Sequence, residues 1–213
     1  IPTRDGTHLS ADLIRPDAEG RFPVLIEYHP YRKDDGSRGG HGIHAYLAER
    51  GFVSVRLDVR GTGGSECVNT DEYMPVEQTD GYDAVEWIAG QDWSDGKVGT
   101  WGPSALGVVQ FQTAREHPPH LFAAVPQVAG FITTYGNYFP NGTERKEYVD
   151  ALSGGVSSLG ASTILQHPTR DGWWNAVESG SDYASELDVP MLVVGGWYDH
   201  RTDDLVSSYR SLV

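Results

Sequence analysis

The chain is poor in cysteine, in basic residues and in long apolar runs. One cysteine, Cys67, among 213 residues rules out an intramolecular disulfide framework and fits no structural zinc site. It lies in a Gly/Ser/Asn-rich loop and is read as incidental. Lys and Arg total 16 against 30 Asp and Glu, a formal net charge of −14. That balance argues against nucleic acid and anionic membranes as partners and otherwise reads as a solvated acidic surface. No apolar run approaches the ~20 residues that span a bilayer. There is no signal-peptide pattern and no internal repeat. Ile1 rather than Met stands first, so the sequence is read as processed or partial, and the compartment, cytoplasmic or secreted, stays open. What is present suffices for a core: 38% hydrophobic residues and 11% aromatics. The 26 glycines and 12 prolines imply many tight turns, and the length fits one domain or part of a larger one.

The stretch from Gly96 to Arg115 organises the rest. Lys97 to Trp101 reads as a buried strand, Gly102-Pro103-Ser104 as a tight turn, and Ala105 onward as a helix carrying Leu106, Val108, Val109 and Phe111. A strand bending sharply into a helix, with Ser at the bend and glycines about it, is the layout of a nucleophile elbow. In that layout the helix N-terminus directs free N–H groups and its positive dipole end toward the Ser hydroxyl. An oxyanion forming beside Ser104 would meet the N–H of Ala105. The spacing is G-x-S-x-x-G, with Gly107 one place later than the usual second glycine, and Ser104 as a plain helix cap is the competing reading.

Strands are expected at 8–15, Phe22–Tyr28, Phe52–Val59, Val98–Trp101, Leu121–Val128 and Val189–Gly195, and helices at Ile43–Arg50, Thr79–Ile88 and Thr202–Leu212. Alternating strands and helices with short turns predict an α/β fold, a mostly parallel sheet with helices on both faces. Residues 130–187 interrupt the alternation with many Gly and Ser residues and the aromatics Tyr135, Tyr138, Phe139, Trp173, Trp174 and Tyr183. They read as a cap inserted between a first core part, 1–129, and a second, 188–213.

Sites in such sheets form at the carboxyl ends of strands. Three ends carry reactive residues: His29-Pro30-Tyr31-Arg32-Lys33, then Ser104, then Gly196-Trp197-Tyr198-Asp199-His200. Ser, then a carboxylate on a later strand, then His is the chain order of an α/β-hydrolase triad. Further matches run along nearly the whole chain: Arg4-Asp5-Gly6 with Leu13 and Arg15-Pro16; Pro30-Tyr31 with Lys33; Asp58-Val59-Arg60-Gly61-Thr62-Gly63-Gly64-Ser65; Asp80-Gly81-Tyr82-Asp83 with Trp87-Ile88; Gly96-Lys97-Val98-Gly99; Gly102-Pro103-Ser104 with Gly107; His167-Pro168 with Trp173-Trp174; and Gly196-Trp197-Tyr198-Asp199. In this order and spacing the chain resembles the cocaine esterase/X-prolyl dipeptidyl peptidase-like serine hydrolases, whose elbow, G-x-S-Y-x-G, accounts for the displaced Gly107.

The resemblance implies an α/β-hydrolase fold and the following roles. Ser104 is the nucleophile, and Asp199 orients the catalytic His. Tyr31 donates its hydroxyl to the oxyanion, with the Ala105 N–H as second donor. Ala105 departs from the family's Tyr at that place but keeps the backbone donor. The family's His follows the Asp by a further strand and loop, and none of the eight His here stands there. His200 is adjacent to Asp199; His8 and His44 fall in an expected strand and helix; His117, His120 and His167 flank Pro-containing turns; His29 and His41 fall in a loop beside the site. The catalytic His is therefore expected beyond Val213, as is the family's C-terminal β-sandwich, and the chain as given lacks the base that activates a Ser.

Other features are assigned bland roles. Asp199, Asp203 and Asp204 lack a calcium-loop pattern and are read as a solvated face. Trp173 and Trp174 are read as cap core. Asn141-Gly142-Thr143 matters only in a secreted eukaryotic protein, and Gly61–Ser65 lacks the Lys and helix of a phosphate loop. The expectation is thus a serine hydrolase that cleaves an ester or amide of a small molecule or peptide through an acyl-enzyme, with no cofactor, no metal and no nucleic acid or membrane partner. The alternatives are a hydrolase-fold binding module without a base and an acyltransferase.

Overall fold

The computed structural model describes residues 1–34, 42–67, 75–153 and 163–213. Its sheet has the order β1-β3-β2-β4-β5, with β1 at Ala11–Ile14, β2 at Phe22–His29, β3 at Val53–Asp58, β4 at Ser94–Pro103 and β5 at Leu121–Gln127. β2 pairs in parallel with β3 and β4, and β4 with β5; only β1 is antiparallel, against β3. The mostly parallel sheet is as expected. The first strand is shorter than the 8–15 read from sequence, and His8 lies before it, bridged to Pro2.

Side chains alternate across the sheet with period two. Val24, Ile26 and Tyr28 of β2 and Val53, Val55 and Leu57 of β3 form one apolar core with Ala84, Val85 and Ile88 of α2 (Pro75–Ala89) and Val109 and Ala114 of α3 (Ala105–Arg115). Of the intervening residues, Glu27 and Ser54 meet His44 of α1 (Gly42–Ala48), and Glu27 in turn meets His29 and Arg56. Helices therefore cover both faces.

The face turned to α1 is polar. Glu27 Oε2 lies 3.0 Å from His29 Nε2, 3.3 Å from His44 Nε2 and 3.4 Å from Arg56 Nε, all with side chains under a tenth exposed. Burial pushes the Glu27 carboxyl up, but the hydrogen bonds and charge of His29 and His44 outweigh it and hold the group at about 2 against an ordinary 4.5. Glu27→Gln leaves a buried guanidinium facing a neutral amide, and breaking a buried pair from one side costs about 3 kcal/mol or more. In a domain of this size that lowers the melting temperature by about 6–12 °C. Because the folded carboxyl titrates below its unfolded value, its stabilisation is complete above pH 4.5 and is lost as pH falls toward about 2. The difference between wild type and Glu27→Gln in urea unfolding should accordingly be widest at pH 7 and narrow between pH 4.5 and 2; a gap constant with pH would contradict the ion-pair account.

The expected strand Val189–Gly195 is not continuous. Ala124 N–H donates to Pro190 O (3.0 Å), Leu192 N–H to Ala124 O (3.0 Å), Val194 N–H to Pro126 O (3.0 Å) and Val128 N–H to Val194 O (2.7 Å). The missing rung is the one Pro126 would donate, and Pro has no N–H. What remains is two parallel bridges, Ala124↔Met191 and Gln127↔Val194, which still align this segment on the far side of β5.

Among the described residues, 130–187 hold helices and no strand: α4 (Tyr135–Tyr138), α5 (Lys146–Ser153) and α6 (Gly172–Ser181), with 3-10 turns at Pro140–Gly142 and Ala184–Glu186. Trp174, wholly buried, forms their small core with Phe139, Val149 and Ile164, and Trp173 packs against it. Asp171 caps α6 through the N–H groups of Trp173 and Trp174, and His167 lies flat on Trp173, ring centroids 4.4 Å apart. The last helix, α7 (Thr202–Leu212), matches its expected span. It anchors the start of the excursion: Ser208 Oγ accepts from Phe131 N (2.9 Å) and Ile132 N (3.0 Å). Asp204 is not on a solvated face, as its acidic neighbourhood suggested. It is fully buried and accepts from Thr134 Oγ1 (2.8 Å) and Arg201 (3.0 Å), while burial raises its pKa. Among the described residues no helix is long and apolar enough to cross a membrane.

Candidate active site

Ser104 sits between the end of β4 and the first residue of α3 with φ 61° and ψ −125°, a conformation that L residues rarely adopt. Its side chain makes no capping hydrogen bond to the helix, which removes the mundane reason for a Ser at this place. The backbone fixes it from both sides: Ser104 N–H donates to Gln127 O (2.9 Å), and Ser104 O accepts from Gly107 N (2.8 Å) and Val108 N (3.1 Å). Two glycines make the bend possible. Gly102 has φ 141°, and a Cβ there would stand 2.7 Å from Leu106 Cβ; a Cβ on Gly107 would stand 2.5 Å from Ala129 Cβ and 3.0 Å from Gln127 O. The displaced second glycine is therefore required by the crossing of α3 over the segment that leaves β5. α3 is buried on nearly every side, as a helix enclosed by the molecule must be. Its first residue, Ala105, is 1% exposed, and helix geometry offers its N–H no acceptor.

Parallel strands share a carboxyl edge, and the candidate residues all lie there. The register runs Pro103↔Gln127↔Val194 across β4, β5 and the bridged segment. Ser104 follows Pro103 directly, and Asp199 comes five residues after Val194. Tyr31 comes two residues after His29, the last residue of β2, which is β4's other neighbour. The strands that lead into Tyr31 and Asp199 thus lie on either side of the one that leads into Ser104, one strand away and two strands away, and all three run to the same edge. Strained backbone gathers at the same edge. Of the six non-glycine residues with positive φ among the described residues, three stand here: Ser104, and Arg32 (φ 68°) and Val128 (φ 45°), just past the ends of β2 and β5. For a β-branched residue such as Val128 this is an outlier, and such strain is characteristic of functional sites.

The loop that carries Tyr31 is held from below by Asp58 at the end of β3. This fully buried carboxylate accepts from Lys33 N (2.5 Å) and Gly64 N (3.0 Å), so the glycine-rich loop 61–65 turns its amide inward onto the protein's own anion. Arg60 then clamps Asp80 through two 2.6 Å bonds and Asp5 through one of 2.8 Å. Asp199 is a quarter exposed; its Oδ1 accepts from Arg201 N (2.8 Å), and its backbone O accepts from Thr202 Oγ1 (2.7 Å). The two residues before it, Trp197 and Tyr198, are almost fully exposed.

No described His is paired with both groups. His200 Nδ1 is 3.8 Å from Asp199 Oδ1, too long for a hydrogen bond. Its ring packs edge-on to Tyr148, and burial lowers its pKa. His29 is not in the loop, as its polar surroundings suggested, but ends β2 with its ring buried against Glu27. His8, His117, His120 and His167 pair with Glu66, Asp188, Glu86 and Asp171; His41 lies outside the described residues. A second Ser–His–carboxylate chain exists: Ser54 Oγ is 2.7 Å from His44 Nδ1, whose Nε2 faces Glu27. Ser54 and His44 are wholly buried, so no carbonyl reaches them. Among the described residues no group of His, Cys, Asp or Glu is arranged to hold a metal ion.

A mostly parallel sheet covered on both faces, with a strained Ser where β4 bends into a buried helix, defines an α/β-hydrolase fold. Residues 5–160 match the X-Pro dipeptidyl-peptidase (S15) family, and the chain belongs to it. Cocaine esterase from Rhodococcus sp. (strain MB1 Bresler) is 28% identical over 251 aligned residues, covering 93% of this chain and 43% of that protein. The Xaa-Pro dipeptidyl-peptidase of Lactobacillus helveticus is 25% identical over 140 residues, 59% of this chain and 16% of its own length. The chain thus spans less than half of these relatives. Similar solved structures include a CocE/NonD family hydrolase from Staphylococcus aureus, with TM-score 0.67 and 23% identity over 89% of this chain and 38% of that one. An α-amino acid ester hydrolase gives TM-score 0.70 and 20% identity over 99% and 45%.

Sequence reasoning missed Gln110, Val128 and the Glu27 cluster. Each had a faint signal: an amide inside the apolar stretch Leu106–Phe111, a β-branched residue at a strand exit, and one carboxylate inside an apolar run.

Proposed function

We propose that the full-length protein is a serine hydrolase that cleaves an ester, or an amide, of a small molecule or peptide through an acyl-enzyme. The observation that carries this reading is the conformation of Ser104, held at positive φ without a capping role between β4 and α3. Ser104 Oγ adds to the substrate carbonyl carbon while its proton passes to a His. The resulting oxyanion is held by the Tyr31 hydroxyl and the Ala105 N–H. Collapse breaks the bond to the leaving alcohol or amine, which takes the proton from the imidazolium. Water then repeats the sequence in reverse, releasing the acid and free Ser104. Asp199 fixes the imidazole's orientation and stabilises its charged form.

The proton acceptor in this reading is a His outside residues 1–213. Six of the described His are engaged with Glu66, Glu27, Ser54, Asp188, Glu86 or Asp171, and the relatives are more than twice as long as the stretch matched. An ester is favoured over an amide by the likeness to an esterase over nearly all of this chain. The test is covalent labelling of the full-length protein with a fluorophosphonate, followed by peptide mapping. Label is expected on Ser104 and absent from Ser104→Ala; label elsewhere, or undiminished in Ser104→Ala, rejects the nucleophile.

A further inference from the structure

We infer that Gln110 is a positioning residue for the nucleophile, the bracket that holds both arms of the elbow; the inference rests on Ser104 being that nucleophile. Gln110 lies on α3 and is 2% exposed, a costly place for an amide unless its polar atoms are bonded. Its Nε2 donates to Gly102 O (3.2 Å) and to Leu106 O (2.9 Å), and its Oε1 accepts from Val125 N (3.1 Å). One side chain thereby joins the end of β4 two residues before Ser104, the first turn of α3 two residues after it, and the neighbouring strand β5.

The need for such a bracket is local. Gly102, at φ 141°, has no side chain to fix the orientation of its peptide plane, and that plane leads through Pro103 into Ser104. The bonds of Ser104 itself hold the bend against the exit of β5 and against its own helix. The bond to Gly102 O ties the entering arm to α3, and a hinge at Gly102 would swing the Ser104 hydroxyl out of its place at the carboxyl edge. Gln110 touches no substrate atom. Its effect passes through the backbone, so it should appear in the chemical step and not in binding.

The experiment uses full-length wild type, Gln110→Met, which keeps length and volume without the polar atoms, and Gln110→Glu. It measures the rate at which a fluorophosphonate labels Ser104, and kcat and KM for p-nitrophenyl acetate, on protein shown to melt cooperatively. Gln110→Met is expected to label about 10–100-fold more slowly, with kcat reduced alike and KM within about twofold, because a displacement near 1 Å is enough for such a loss. In Gln110→Glu the ionised carboxylate has no donor for Gly102 O, but its protonated form regains one, and burial brings that protonation toward neutral pH. The ratio of variant to wild-type labelling rates should therefore climb as pH falls from 8 to 5.5. A role in stability alone would lower the melting temperature and leave both the rate per folded molecule and this ratio flat, which would overturn the inference. Should Gln110→Met fail to fold, the pH ratio of Gln110→Glu decides. Wild type labelled at Ser104 with variants equally fast sinks the bracket only; wild type unlabelled at Ser104 sinks the functional reading, and the bracket with it.

Discussion

Ser104→Gly is expected to abolish fluorophosphonate labelling and ester turnover while making the protein more stable. Two separate properties of one residue are being removed. The hydroxyl is the only group proposed to bond covalently to the substrate, and loss of such a nucleophile lowers kcat by about 10⁶, with the residual activity owed to the oxyanion donors and binding. The backbone at φ 61°, ψ −125° is strained for any residue with a Cβ, by about 1–3 kcal/mol. Glycine releases that strain and gives back roughly 0.5–1 kcal/mol through its freer unfolded chain, so the net gain is about 1 kcal/mol. Ser104→Ala is the control: it loses the same activity but keeps the Cβ and should melt near wild type. Were Ser104 merely a cap, its replacement by Gly would leave turnover untouched and lower stability by a few tenths of a kcal/mol. The two accounts thus differ in the sign of one measurement and by orders of magnitude in the other.

Much of the fold was legible because its signals are local. β2, β3, α3 and α7 each coincide with a run whose apolar period matches the element, and the bend at Gly102-Pro103-Ser104 carries its own turn chemistry. The elements that went astray depend on a partner. The strand at 189–195 reads as a good strand, but its ladder is cut by Pro126 on β5, sixty-odd residues away. Asp204 reads as surface because two carboxylates precede it; Arg201 and Thr134 take it inside. Glu27 stands in an apolar run, and only the pairing of β2 with β3 and the packing of α1 assemble His29, His44 and Arg56 around it.

The motif residues divide in the same way. Asp58, Arg60 and Asp80, which contributed heavily to the family resemblance, prove to be braces: Asp58 ties the loop of Tyr31 to the glycine-rich loop, and Arg60 joins α2 to the chain's first turn. A sequence pattern shared for structural reasons marks where a site is built without saying which of its residues act. Gln110 shows the converse, a residue outside every motif whose three bonds lie across the elbow. The positive φ of Arg32 and Val128 was invisible in the sequence, since neither is a residue in which it is anticipated, and both stand at the edge where Ser104 lies.

Tyr31→Phe should lower kcat by about 10²–10³ and change KM little. The reasoning is differential. A hydrogen bond to an oxyanion is charge-assisted and forms fully only as the carbonyl oxygen gains charge, so losing the donor raises the barrier without weakening the ground-state complex. Tyr31 is half-buried two residues beyond β2, and Phe fills the same space, so the exchange should leave the fold intact. Its loop is fixed independently by the bond from Lys33 N to Asp58, which the substitution does not touch. The Ala105 N–H cannot be deleted by a side-chain change, which makes Tyr31 the one donor of the pair open to mutation. A fall in kcat with KM steady, measured on a chromogenic ester over a range of concentrations, supports the role. If KM rises and kcat holds, Tyr31 binds substrate instead; if neither moves, the oxyanion is held by other groups, and the reading of this edge must be rebuilt around them.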